Sequence, residues 1–328
     1  MTKRGRGKAQ PGNPLQEAFD FQARTGAAPK PPFDPRELFH LAARGVYLGT
    51  SSWKYRGWEG LIYQGGYSSE AQFQRASLRE YTSYFPCVGV DFTYFAWPVP
   101  DMMAYLVEST PENFRLCPKV TKRITLSSFP DLPAYGKWAG KKNPDFLNAD
   151  LFVDQFLKPI ERLKGRLGIV LFEFSGPEEG ELEDLRRFLR AIPRDFPYAL
   201  EIRNPALVRP DFYRLLNEEG VSPAFSLWTR MPSIAAQVEA YRAAGPAPAD
   251  LPIAGLGLLK AGRTFEEAVR NFQPYREVGE EYPEGREDLA ALGHLALETG
   301  RKAYLLVNNR LEGSAPHTVG ALSRALGR

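Results

Sequence analysis

Tyr198-Ala-Leu-Glu-Ile-Arg-Asn204 is the stretch on which the reading of this chain turns. Leu200 and Ile202 alternate with Glu201 and Arg203, and successive side chains of a β-strand point to opposite faces, so the two charges share one face. Charged groups pointing inward from a strand are costly unless paired, hydrogen-bonded or partly solvated. The mouth of a barrel or cleft meets those conditions. A lone Glu-X-Arg also suits a plain structural ion pair. What favours a site is that several other strand-like runs end in polar or ionisable residues.

Seven more runs surround it, at 46–53, 88–95, 113–120, 167–174, 222–228, 253–260 and 302–309. The run at 167–174 is almost continuously apolar, which implies burial on both faces, as parallel strands under helices require. Helical spacing separates most of the runs. It is clearest at 70–84 (Phe73, Ala76, Leu78, Tyr81) and recurs at 102–109, 150–163, 180–192 and 234–244. The helix at 211–219 is closed by Gly220, and 265–299 holds one or two more. Eight strands alternating with helices predict a (β/α)8 TIM-type barrel, with an open doubly wound sheet as the alternative. In such barrels the C-terminal rim carries the site, and Asp91, Lys119, Glu173, Glu201, Arg203, Lys260, Asn308 and Asn309 all fall late in their runs.

Composition narrows the classes. A chain of 328 residues with 43% hydrophobic and 25% charged residues fits one barrel domain, 34–328, behind a basic, flexible arm, 1–33. No stretch approaches the ~20 apolar residues of a membrane span. The basic start is followed by no apolar h-region, so the expected location is cytoplasmic, with no membrane partner. Two cysteines and three histidines, all scattered, make a zinc site from those types improbable. The long segment 121–148 is rich in Lys, Pro, Gly and aromatics; it reads as a lid, with Phe129, Leu132, Tyr135 and Trp138 to pack it.

Several ordered blocks resemble the YecE-like family, the domain of unknown function number 72. They are Gly49-Thr-Ser-Ser-Trp53 with Tyr55 and Trp58, then the blocks 88–98, 114–125, 167–174 and 199–203, and Val307-Asn-Asn309 followed by Gly313 and Ala315. The resemblance runs from about Tyr47 to Leu322; it implies a TIM-type barrel and no particular activity. The departures are specific. Where the family pattern reads Val-Glu-Ile-Asn-x-Thr-Phe-Tyr, this chain has Val88-Gly-Val-Asp-Phe-Thr-Tyr-Phe95. Glu173 stands in the place of a glutamine, Ile124-Thr-Leu126 lacks the histidine of an Ile-Thr-His block, and an Arg-Leu-His-Gly motif is not recognisable around Leu258-Leu-Lys260.

The residues themselves permit three readings. In the first, the chain is an enzyme acting on a carbohydrate-like or phosphorylated small molecule, with Glu201, Glu173, Asp91 and Lys119 catalytic. Arg203, Trp53, Tyr55, Tyr94, Lys260, Asn308 and Asn309 then bind substrate. Two carboxylates in different surroundings divide acid and base roles. Arg203 beside Glu201 points to Glu201 as the ionised member, with Glu173 or Asp91 as proton donor. No cofactor motif is found, although Asp91, Glu173 and Glu201 could share a divalent cation. In the second reading the basic arm, the lysines of 121–148 and the Trp53/Trp58 aromatics bind nucleic acid. The third is a catalytically silent barrel.

Overall fold

In a computed structural model, which describes residues 28–175 and 179–327, the eight runs form eight parallel strands. They are β1 Val46–Thr50, β2 Cys87–Val90, β3 Arg115–Pro118, β4 Val170–Phe174, β5 Tyr198–Ile202, β6 Ser222–Leu227, β7 Ile253–Gly257 and β8 Ala303–Val307. Their hydrogen-bonded order is β3-β2-β1-β8-β7-β6-β5-β4. Isolated bridges Leu116–Leu167 and Lys119–Leu171 bring β3 and β4 together and nearly close the ring. This is the (β/α)8 barrel that the alternation predicts.

The alternation also builds the interior. Cys87, Cys117, Ile169, Leu171, Ala199, Ala224, Ala254, Leu256, Tyr304 and Leu306 pack together inside the ring. Moving two residues along a strand keeps a side chain on the same face. Cys117 therefore leads to Lys119, Leu171 to Glu173, Ala199 to Glu201 and Arg203, and Leu306 to Asn308. The polar layer is the continuation of the apolar one at the C-terminal end.

Most helices follow the predicted periods, and 265–299 splits into Phe265–Phe272 and Pro283–Thr299. Gly220 has φ +68°, the left-handed conformation that closes the helix Pro210–Glu218. Two helices are not among those the periodicity predicts: Ala315–Leu326 after β8 and, ahead of β1, Pro35–Ala43. The signal for Pro35–Ala43 is present, since Asp34 caps Arg36 N, proline follows at the first turn, and Leu38 and Leu41 are buried. Of the predicted arm, residues 1–27 lie outside the described part of the chain. Residues 28–33 are packed on the barrel: Lys30 N donates to Gly60 O at 2.9 Å, and buried Phe33 meets Phe85 edge-on at 5.1 Å.

One strand expectation needs correction. Residues 88–95 do not stay extended: β2 stops at Val90 and Phe92–Phe95 is one helical turn. In the segment 121–148, read as a lid, Lys122–Thr125 is a helical turn and Ser128 bridges Lys142. The Asn143 amide ties it down by donating to the carbonyls of Arg123 (2.8 Å) and Leu126 (2.7 Å). Phe129 is buried against Tyr135 and Trp138, as the packing argument requires, while Leu132 and Trp138 are exposed.

Candidate functional site

A cleft of about 540 Å³ opens at the C-terminal ends of the strands, lined by Asp91, Tyr94, Lys119, Glu173, Arg203, Trp228, Asn308 and Arg310 among others. Asp91 reaches it because of the helical turn after β2. In a strand Asp91 would share a face with Thr93; in a helical turn residues i, i+3 and i+4 are neighbours, so Asp91, Tyr94 and Phe95 face the cleft together. Thr93 turns inward, its hydroxyl 2.7 Å from the carbonyls of both Val90 and Lys119. That bridge fixes the end of β2 to the end of β3.

From there a chain of ion pairs crosses four strand ends. Lys119 Nζ lies 3.8 Å from Asp91 Oδ1 and 2.6 Å from Glu173 Oε2. Arg203 Nη2 lies 2.8 Å from Glu173 Oε2, and its Nε donates to Glu201 Oε1 at 3.1 Å. Its guanidinium carbon stands 3.8 Å from the centre of the Trp228 ring. The Glu173–Glu201 juxtaposition is set by register, because the two residues are partners across β4 and β5.

Two carboxylates this close in a buried site cannot share one environment. Burial opposes ionisation of Glu173, but Lys119 and Arg203 together outweigh it and hold the carboxyl at about 2. Glu201 is 0% exposed. Burial raises its carboxyl above the usual range, Arg203 offsets this only in part, and Glu173 adds to it. Among the described residues its Oε2 has no hydrogen-bond partner. Between the two glutamates the direction runs opposite to the sequence expectation, Glu173 being lowered and Glu201 raised, while Asp91 keeps the donor's direction. The reason is spatial, since Glu173 receives a second cation from β3. Asp91 is also raised, by burial first, with Lys119 opposing. Lys119 stays an ammonium, because Glu173 and Asp91 more than offset its desolvation.

Of the remaining predicted binding residues, Tyr55, Tyr94 and Asn308 line the cleft. Burial pushes the Tyr55 phenol up to about 12, with Arg310 pulling it back; the Tyr94 phenol is raised by burial and by the negative charge of Glu173. Trp53 is not brought there. It is buried in the core, as is Trp58, so neither is available to stack on a ligand or base. Asn309 is buried behind the cleft, its side-chain oxygen accepting from Ala315 N at 2.8 Å. Lys260 sits outside, paired with Glu280 at 2.5 Å. A divalent cation shared by Asp91, Glu173 and Glu201 does not fit, because Lys119 and Arg203 lie between those carboxylates. Among the described residues no group of three or more His, Cys, Asp or Glu forms a metal-holding cluster.

Sequence reasoning missed Trp228, Arg310, Tyr135, Phe95 and Phe265, all of which line the cleft. Trp228 closes the sixth run and Arg310 directly follows Asn308-Asn309, so rim position was the available signal. Phe95 (69% exposed) and Phe265 (45%) carried no signal beyond their exposure.

Comparison with known proteins agrees with this architecture. The curated YecE proteins of Escherichia coli, including that of strain K12, are 26% identical over 163 residues, 49% of each chain, so this chain spans about half the length of the curated relatives it matches. A DUF72 family protein from Enterococcus faecalis V583 superposes with a TM-score of 0.58 at 19% identity, covering 86% of this chain and 96% of that one. One from Thermotoga maritima MSB8 gives 0.56 at 18%, with 86% and 99% covered. These structural likenesses concern the fold alone. A family model described as "Protein of unknown function DUF72" matches residues 47–328, and on that match the chain belongs to the DUF72 family.

Proposed function

We propose that this protein is an enzyme of acid–base chemistry on a small molecule, carbohydrate-like or phosphorylated, bound at the barrel rim, with Asp91 as the proton-transferring residue. The observation that carries the reading is the splitting of the carboxylates that line one cleft. Glu173 is held ionised by Lys119 and Arg203, while Asp91 is raised and its side chain is 29% exposed. Titratable groups whose surroundings drive their pKa values apart are suited to separate acid and base roles. Lys119 acts as a fixed cation, donating to Glu173 and stabilising Asp91 when it gives up its proton. It is not an amine nucleophile, because that needs a lowered pKa.

The test is depletion of individual compounds from a mixed small-metabolite extract, comparing the parent with Asp91→Asn. The expected result is a substrate whose turnover falls by a factor of about 100 or more in the variant. Its rate in the parent falls as pH rises through a pKa above 3.8, and that limb is missing from the variant. Equal turnover by both proteins would remove Asp91 from the chemistry.

A second reading rests on a different observation. Lys122 stands over Phe95 (5.4 Å) and Tyr135 (4.4 Å), and Lys137 over exposed Trp138 (5.5 Å). Such cation–aromatic pairs suit a single-stranded nucleic acid draped across the rim. Salt-dependent binding of an oligonucleotide, lost in Trp138→Ala, supports it; no binding at low salt counts against it.

A further inference from the structure

Among the described residues three cations line the cleft, and two of them are engaged by carboxylates. Lys119 is on Glu173, and Arg203 is held between Glu173 and Glu201. Arg310 is placed differently. Among the described residues no carboxylate lies within ion-pair distance of its guanidinium, and its Nε is buried with no hydrogen-bond partner. The guanidinium carbon stands 4.5 Å from the centre of the Phe265 ring, which presents the group to the cleft at low conformational cost. Its backbone is pinned as well, Arg310 N donating to Asn308 Oδ1 at 3.1 Å.

The charge of the lining points the same way. Lys119, Arg203 and Arg310 face two lining carboxylates, Asp91 and Glu173, an excess of one positive charge that becomes two when Asp91 carries a proton. A guanidinium that lines the cleft with no carboxylate partner among the described residues is left to bind a ligand's acceptors. A planar guanidinium suits an oxyanion in particular. Arg310 also follows β8, and barrel sites often hold a phosphate on the loops after the seventh and eighth strands.

We propose that Arg310 docks the phosphate group of a phosphorylated small molecule, whose reacting part lies towards Asp91. This rests on the acid–base reading of the same cleft and narrows its substrate class.

Calorimetric titration of the full chain with inorganic phosphate at low ionic strength is the test, run on the parent and on Arg310→Met, Arg310→Lys and Arg187→Met. Methionine keeps a stem against Phe265 and removes the charge; Arg187 is an exposed arginine outside the cleft. Saturable binding is expected in the parent. It weakens about tenfold or more in Arg310→Met, recovers in part in Arg310→Lys, and is unchanged in Arg187→Met. Circular dichroism of each variant verifies folding, and if the methionine variant is damaged the lysine variant, compared with the parent, decides the question. No saturable binding by the parent overturns the proposal, as does equal binding by Arg310→Met or equal loss in Arg187→Met. An uncharged substrate turned over equally by the parent and Arg310→Met would sink the phosphate site and leave the role of Asp91 standing. Arg310-dependent phosphate binding without Asp91-dependent turnover would keep the site and sink the enzyme.

Discussion

Glu173→Gln and Glu201→Gln are the same substitution at two register partners on adjacent strands, and their consequences are expected to differ. Glu173 is 4% exposed, so solvent screens its two ion pairs little. Lowering a carboxyl from 4.5 to about 2 corresponds to about 3 kcal/mol of preference for the ionised form. Removing that charge also leaves Lys119 and Arg203 buried with fewer partners, and breaking a buried pair costs about 3–5 kcal/mol. Glu173→Gln should therefore cost about 3 kcal/mol in urea unfolding at neutral pH. Glu201→Gln should cost clearly less, because burial already disfavours its charge and one oxygen has no hydrogen-bond partner among the described residues.

The pH dependence carries opposite signs at the two positions. The folded pKa of Glu173 is depressed, so its contribution is complete above 4.5 and is lost as pH falls towards 2. The folded pKa of Glu201 is raised, so the native state keeps its proton longer than the unfolded chain. Stability then falls as pH rises from 4.5 through the folded value, and Glu201→Gln removes that slope. A Glu173→Gln protein as stable as the parent, or a Glu201→Gln protein that loses more, would refute the division of charge.

Other perturbations probe the frame around the site. A Cβ on Gly89 would stand 2.6 Å from Ser51 O, a backbone atom with little room to move; Gly89→Ala should cost about 1–3 kcal/mol in urea unfolding, and an unchanged midpoint would mean that β1 and β2 separate easily. Glu219 is buried and accepts from Arg186, Arg190 and Arg194, clipping the helix Leu182–Ala191 to the end of Pro210–Glu218. Because the arginines are partly solvated, Glu219→Gln should cost about 2 kcal/mol, between exposed and buried pairs, with no change in phosphate binding.

The barrel was legible because eight strand-like runs alternate with helical spacing along the chain, some of them, like 167–174, apolar on both faces as strands under helices must be. The strand ends were less so: the polar tips Lys119, Arg203 and Asn308 continue the alternation past the last strand residue, so the runs read longer than the strands. The turn at Phe92–Phe95 was hidden for a related reason, since Val88 to Phe95 has strand composition throughout and only the fold bends it. Asp91, Lys119, Glu173, Glu201 and Arg203 could be named from position. Their roles could not, because the ammonium that decides between Glu173 and Glu201 arrives from β3, across the closure of the ring, a proximity that spacing along the chain does not encode. Lys260 was misplaced by its run, which leaves the barrel after Gly257.

The assignment of charge within the cleft is tested most directly by following the side-chain carboxyl carbons of 13C-labelled Asp and Glu by NMR from about pH 3 to about pH 8, with Asp91→Asn, Glu173→Gln and Glu201→Gln identifying the signals. Glu173 is expected to remain ionised across the range, while Asp91 and Glu201 take up protons at pH values above 3.8 and 4.5. A Glu173 that titrates in mid-range, or an Asp91 already ionised at the acid end, would contradict that assignment.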